Sequence, residues 1–157
     1  MKESKMYSKV SKLFEDDCYV FYNYIIPDNS RREIDLICLE KCVCPEIIAV
    51  EVKVKDWKGA LRQSFKRLFY VDRCYMAILA NYVKNINLNK VSRYGIGLIA
   101  VDGYAEIVIE ARKSDKILSW RREMLLNDLI TKINRGRDIL QSSTNRWEAS
   151  ESFEELL

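Results

Sequence analysis

The stretch Ile47-Ile48-Ala49-Val50-Glu51-Val52-Lys53-Val54 constrains the fold more than any other. It is a run of strand-forming residues broken only by Glu51 and Lys53. Strand side chains alternate between faces, so Val50, Val52 and Val54 share one apolar face. Glu51 and Lys53 share the other, roughly 7 Å apart. Two charges in an otherwise apolar strand cost free energy unless they are paired or hold an ion. The strand is expected in the interior of a sheet, because neighbouring stretches also read as strands.

Those neighbours order the rest of the chain. Residues 3–15 place Glu3, Tyr7, Val10 and Phe14 on one helical stripe. Cys18 to Ile26 is dense in Tyr, Phe, Val and Ile and reads as a strand, stopped by the turn cluster Pro27-Asp28-Asn29-Ser30. Glu33 to Glu40 is a second strand, in which Ile34, Leu36 and Cys38 alternate with Glu33, Asp35 and Ile37. After a connection over 41–46 comes the strand 47–54. Asp56 is placed to cap a helix carrying Trp57, Leu61, Ser64 and Leu68 on one stripe. Cys74 to Ala80 is a nearly uniform apolar strand, expected in the interior.

Asn81 to Tyr94 is polar with a weak helical pattern. Gly97–Val101 and Tyr104–Ala111 flank Asp102-Gly103, a two-residue hairpin signal. Ile117 to Leu140 reads as a long amphipathic helix with Trp120, Met124, Leu125, Ile130 and Ile133 inward, in which Gly136 is a costly residue and a candidate end. Residues 142–157 form an acidic tail, expected to be flexible, beyond a single domain over 1–141. The runs of strands favour a mixed α/β sheet that starts as an antiparallel meander.

The composition removes whole classes of chemistry. The chain has no histidine. Ser-His-Asp hydrolysis, histidine-metal nucleases and zinc sites with His ligands are therefore excluded. Five cysteines, an odd number mostly in apolar contexts, read as buried reduced thiols. Cys38, Cys42 and Cys44 cluster without the paired spacing of a zinc site. No stretch approaches the ~20 apolar residues of a membrane span. With no leader-like start, the expected location is cytoplasmic. The net charge of +3 conceals a gradient. Glu148, Glu151, Glu154 and Glu155 all lie in the last ten residues, leaving 26 bases against 19 acids and net +7 over residues 1–147. A basic body suits a polyanionic partner.

Asp35, Glu51 and Lys53 carry the chemistry. If the strands 33–40 and 47–54 pair as neighbours, Asp35 lies close to Glu51. Two carboxylates and a main-chain carbonyl are a seat for Mg²⁺, a hard cation that prefers oxygen. Such an ion lowers the pKa of bound water and polarises a phosphodiester, and a nearby lysine stabilises the phosphorane. The competing reading is a structural ion pair on a strand face.

The segment Arg32-Glu33-Ile34-Asp35-Leu36-Ile37 followed by Val50-Glu51-Val52-Lys53 resembles the core of the PD-(D/E)xK nuclease superfamily, over about residues 3–80. The resemblance implies a restriction endonuclease-like αβββαβ core with a mixed central sheet, plus a C-terminal hairpin and helix. It implies a metal-dependent DNA endonuclease of repair, recombination or restriction, using Mg²⁺ or Mn²⁺. Asp35 and Glu51 would ligate the metal with the Val52 carbonyl, Lys53 would be the catalytic lysine, and Glu3 would be an additional acidic ligand. Gln63 matches a glutamine that several branches direct at the site. Tyr70 is seven residues further on rather than four, and Arg67 takes the place of the tyrosine of the Q-x3-Y signature. Asp35 follows Ile34 rather than proline, while the literal Pro27-Asp28 pair lies in a turn.

Lys55, Lys58, Arg62, Lys66 and Arg67, with Arg73, offer phosphate contacts. DNA is the expected partner, RNA stays open, no membrane is involved, and the hairpin and last helix offer a homodimer surface. The alternative is a non-catalytic module of the same fold that binds nucleic acid or protein.

Overall fold

A computed structural model describes the backbone of residues 1–149 and the side chains of residues 1–137. Helix α1 (Glu3–Ser11) leads into strands β1 (Cys18–Ile25), β2 (Glu33–Glu40) and β3 (Ile47–Lys53). Helix α2 (Trp57–Arg67) crosses to β4 (Arg73–Leu79). A 3₁₀ segment (Ala80–Asn85) and the short helix α3 (Leu88–Arg93) precede the hairpin β5 (Gly97–Val101) and β6 (Ala105–Ile109). Helix α4 (Ser119–Ala149) follows. The chain divides into two compact units, Met1–Leu125 and Leu126–Leu157. The first contains the whole sheet; the described part of the second is helical.

The six strands lie in sequence order. The pairs β1–β2, β2–β3 and β5–β6 are antiparallel, while β3–β4 and β4–β5 are parallel. The protein is thus a mixed α/β fold that starts as an antiparallel meander. β3 and β4 are interior, and both faces of β3 are covered. Met6 and Val10 of α1 pack on the face formed by Leu36, Val50, Val52, Ala77 and Ile99. α2 packs on the opposite face of β3 and β4. A strand covered on both sides reads as continuous apolar sequence, which explains the pattern of 47–54. Asp56 caps α2 as the sequence implies, accepting from Gly59 N at 3.0 Å.

Several boundaries differ from the sequence reading. α1 stops at Ser11, and its continuation to residue 17 is a series of turns. The hairpin loop holds three residues, Asp102 to Tyr104, and Gly103 is not in the left-handed region. Trp120, 62 % exposed, and Ile130 do not face inward. Leu125 and Leu129 are the fully buried side chains of α4 among the described residues. α4 runs through Gly136 to Ala149, so residues 142–149 are helix rather than tail. One glycine costs about 1 kcal/mol, too little to end a helix of this length. The expectation for residues 150–157 lies outside the described residues. All five cysteines are free, yet only Cys18, Cys38 and Cys74 are buried; Cys42 and Cys44 are exposed on the β2–β3 turn.

Asp72 is a structural anchor that the sequence reading missed. Its buried carboxylate accepts from Ile47 N at 2.7 Å and from Arg122 Nε at 3.1 Å. Arg122 also donates to Pro45 O at 2.9 Å, so one guanidinium joins the start of β3 to α4. Gly97 is equally constrained. A Cβ there would collide with the Tyr75 ring and stand 2.8 Å from Ala111 N. Gly97→Ala is expected to lower unfolding stability by about 1–3 kcal/mol, the usual cost of overpacking, measurable by denaturant titration.

No helix among the described residues is long and apolar enough to cross a membrane.

Candidate functional site

The register of β2 and β3 brings the predicted residues together. The pairing Leu36↔Val50 continues outward to set Asp35 opposite Glu51. There the two strands part, and the Asp35 side chain takes over a ladder position: Val52 N donates to Asp35 Oδ2 at 2.8 Å. On its other side Asp35 lies opposite Asn23 of β1, in the register of Tyr22↔Leu36 and Tyr24↔Ile34. Asn23 has φ of 50°, a left-handed conformation within a strand. The sheet is therefore irregular on both sides of Asp35.

Glu51 points towards α2 and is 1 % exposed. Arg67 Nε donates to Glu51 Oε1 at 2.7 Å, and Arg67 Nη2 donates to Glu33 O at 2.9 Å. Burial pushes the Glu51 carboxyl up to about 7, against the lowering effect of Arg67. Asp35 pushes in the same direction as burial, by its charge and by a side-chain hydrogen bond to Glu51. The two carboxyls are thus in hydrogen-bonding reach of one another. One guanidinium does not offset the loss of water around a buried carboxylate beside another acid.

Tyr7 of α1 was not singled out by the sequence reading as a site residue. Burial raises its phenol above the usual range, with further contributions from the charge of Asp35 and a hydrogen bond to it, then from Glu3 and Glu33. Its ring lies 6.1 Å from that of Tyr22. Glu3 is half-buried in an open cleft with Ser4, Tyr7, Ser8, Tyr22 and Asn23. Glu3 therefore reaches the Asp35 neighbourhood through Tyr7. Among the described residues, no three His, Cys, Asp or Glu side chains form a group able to share a metal. The oxygens brought together are those of Asp35 and Glu51, with the Val52 main chain between Glu51 and Lys53.

Lys53, half-buried at the end of β3, shares the Glu51 face by alternation. Gln63 lies one turn before Arg67 on the same side of α2, towards the Lys53 end of β3, because the crossover helix runs antiparallel to that strand. Its Oε1 is buried and has no hydrogen-bond donor among the described residues. Ser64 is fully buried, and its hydroxyl has no hydrogen-bond partner among the described residues.

The basic set separates into two groups. Lys55, Lys58, Arg62 and Lys66 are exposed. Arg67 is 5 % exposed and committed to Glu51, so its expected contact with nucleic acid is replaced by an internal ion pair. Helical geometry explains the change: Arg67 lies on the sheet-facing side with Ala60 and Ser64, about a quarter turn from Lys66. Arg73 is likewise paired, to Glu46 at 2.8 Å. Asp28 is a turn residue, accepting from Ser30 N at 3.0 Å and from the Tyr70 hydroxyl at 3.2 Å.

No protein-family model and no curated protein matches this chain. Its fold is similar to that of a solved protein of unknown function from Silicibacter pomeroyi, with a TM-score of 0.65 and 20 % identity. The match covers 90 % of this chain and 92 % of the other.

Proposed function

We propose that the protein is a metal-dependent nuclease that hydrolyses phosphodiester bonds in DNA, on a restriction endonuclease-like core. The observation that carries this reading is the Asp35–Glu51 pair, two carboxyls in hydrogen-bonding reach where β2 and β3 separate. Two acids are costly to hold together in a protein interior, and a shared cation removes the cost. The donor set fits Mg²⁺ or Mn²⁺, since the two carboxyls and the Val52 carbonyl are all oxygen. Asp35 and Glu51 would hold the ion, with the Val52 carbonyl as a third ligand. Bound there, it would supply water activation and polarise the phosphodiester.

The chain's own residues do the rest. The Val52 N–H fixes the Asp35 carboxylate through one oxygen. Arg67 fixes the Glu51 carboxylate in the same manner. Lys53 places a positive charge on the Glu51 face, where charge develops on the phosphorane oxygens.

The test is incubation of supercoiled, branched and single-stranded DNA with Mg²⁺ or Mn²⁺. Metal-dependent cleavage is expected, with Asp35→Asn at least ~10²-fold slower. Full metal-dependent cleavage by Asp35→Asn sinks the proposal.

One observation favours a second reading. Arg67 already supplies Glu51 with a cation. A guanidinium in permanent place of the metal would make this a non-catalytic nucleic-acid-binding module. Calorimetry with Mn²⁺ separates the two, since only the nuclease loses a binding isotherm on Asp35→Asn substitution.

A further inference from the structure

The outer side of α2 and the short helix α3 enclose a groove of about 390 Å³. Lys58, Arg62 and Lys66 line one wall and Lys90 the other; Phe65 and Tyr94 lie between them. Among the described residues, no carboxylate lines this groove. All four cations are exposed, and among the described residues none of them is in a salt bridge with an acid. The Phe65 and Tyr94 rings meet edge-on at 5.5 Å, and Tyr94 is 41 % exposed. Only Lys90 and the two aromatics are new to the sequence picture. Lys90 and Tyr94 come from a polar stretch with weak periodicity, and Phe65 lies between Leu61 and Lys58 in the helical projection of α2.

Spacing decides what such a groove accepts. Lys58, Arg62 and Lys66 stand at i, i+4 and i+8, each ~6 Å further along α2. That rise is close to the separation of successive phosphates along an extended single strand. An apolar ring beside a row of cations is the arrangement that binds single strands, in which bases are free to stack. In a duplex, both faces of each base are already stacked and the ring has nothing to meet. We propose that this groove binds single-stranded DNA, with phosphates on the α2 row and Lys90 and a base against Tyr94. The inference goes beyond the nuclease reading, adding a binding groove apart from the carboxylates, and rests on that reading only for the choice of DNA as the polyanion. The groove lies on the other side of α2 from the Arg67–Glu51 pair, so it holds the strand away from the carboxylates instead of contributing to the chemistry.

The test is fluorescence anisotropy of a labelled oligothymidylate with the full chain in EDTA, so that cleavage plays no part. A duplex of equal length serves as the comparison. The single strand is expected to bind roughly tenfold or more tightly than the duplex. Log affinity should fall with log salt at a slope of about −3 for four phosphate contacts. Arg62→Glu/Lys66→Glu should weaken binding at least tenfold and flatten that slope. Tyr94→Ala should weaken it roughly tenfold with the slope unchanged, and Tyr94→Trp should restore it. These residues are exposed, and unaltered thermal unfolding of each variant confirms that folding is intact. Equal affinity for duplex, or indifference to Tyr94→Ala or to the charge reversals, overturns the proposal. Asp35→Asn separates the two readings: it is expected to bind the single strand normally, whatever it does to cleavage.

Discussion

Replacing Arg67 by methionine is expected to destabilise the protein by about 3–5 kcal/mol at pH 8, as removal of one member of a buried ion pair usually does. Glu51 is 1 % exposed and would be left with Asp35 as its charged neighbour. In thermal unfolding the loss corresponds to a fall of roughly 10 °C in a chain of this size. The pH dependence has a definite sign. The folded carboxyl of Glu51 titrates near 7, above its ordinary 4.5. Folding therefore takes up a proton at this group between those values, and its contribution to stability falls as pH rises through that window. Without Arg67 the folded value rises further. The Arg67→Met defect should thus be smaller at pH 5, where Glu51 is protonated, and larger at pH 8. The double variant Glu51→Leu/Arg67→Met should recover most of the loss, because an apolar pair of similar volume is often as stable as the ion pair it replaces. A double variant no more stable than Arg67→Met would show that Arg67 acts through Glu33 O instead.

The same pair shows how much of the site could be read in the sequence. Asp35 and Glu51 were legible because charges within apolar strands stand out against a period of two. Their approach followed from assuming that consecutive strands pair, and Leu36↔Val50 supplies that register. Arg67 was legible only as one more base on a basic helix. Which side of α2 meets the sheet is settled by the burial of Ala60, Ser64 and Leu68, and Arg67 lies within that arc. Tyr7 looked like one member of an apolar stripe, since a phenol can pack by its ring while its hydroxyl meets Asp35.

For the fold, the interior strands were the most legible and the ends of helices the least. β3 and β4 are covered on both faces, so their apolar character is continuous. Residues 12–17 keep Leu13 and Phe14 partly or fully buried through turns, which mimics a longer helix in the sequence. Asp72 was not legible at all. Its role depends on Ile47 N and Arg122, 25 and 50 residues away, and no local pattern encodes such a meeting.

Lys53→Ala is expected to slow DNA cleavage by about 10²–10⁴-fold while leaving fold and metal binding in place. The side chain is half-buried at the end of β3 and is not part of the Arg67–Glu51 pair. Its loss removes a charge without leaving a partner buried, so the stability cost is small, about 1 kcal/mol or less. The effect should fall on kcat with KM little changed, because an ammonium on the Glu51 face meets charge that develops only in the transition state. Lys53→Arg should recover only part of the rate, since a planar guanidinium does not place its charge where an ammonium does. Mn²⁺ affinity measured by calorimetry should stay at the wild-type value in both variants, unlike Asp35→Asn. Cleavage by Lys53→Ala at the wild-type rate would leave the lysine as a strand-end solvating charge and would move the transition-state role to the remaining cation beside Glu51, Arg67.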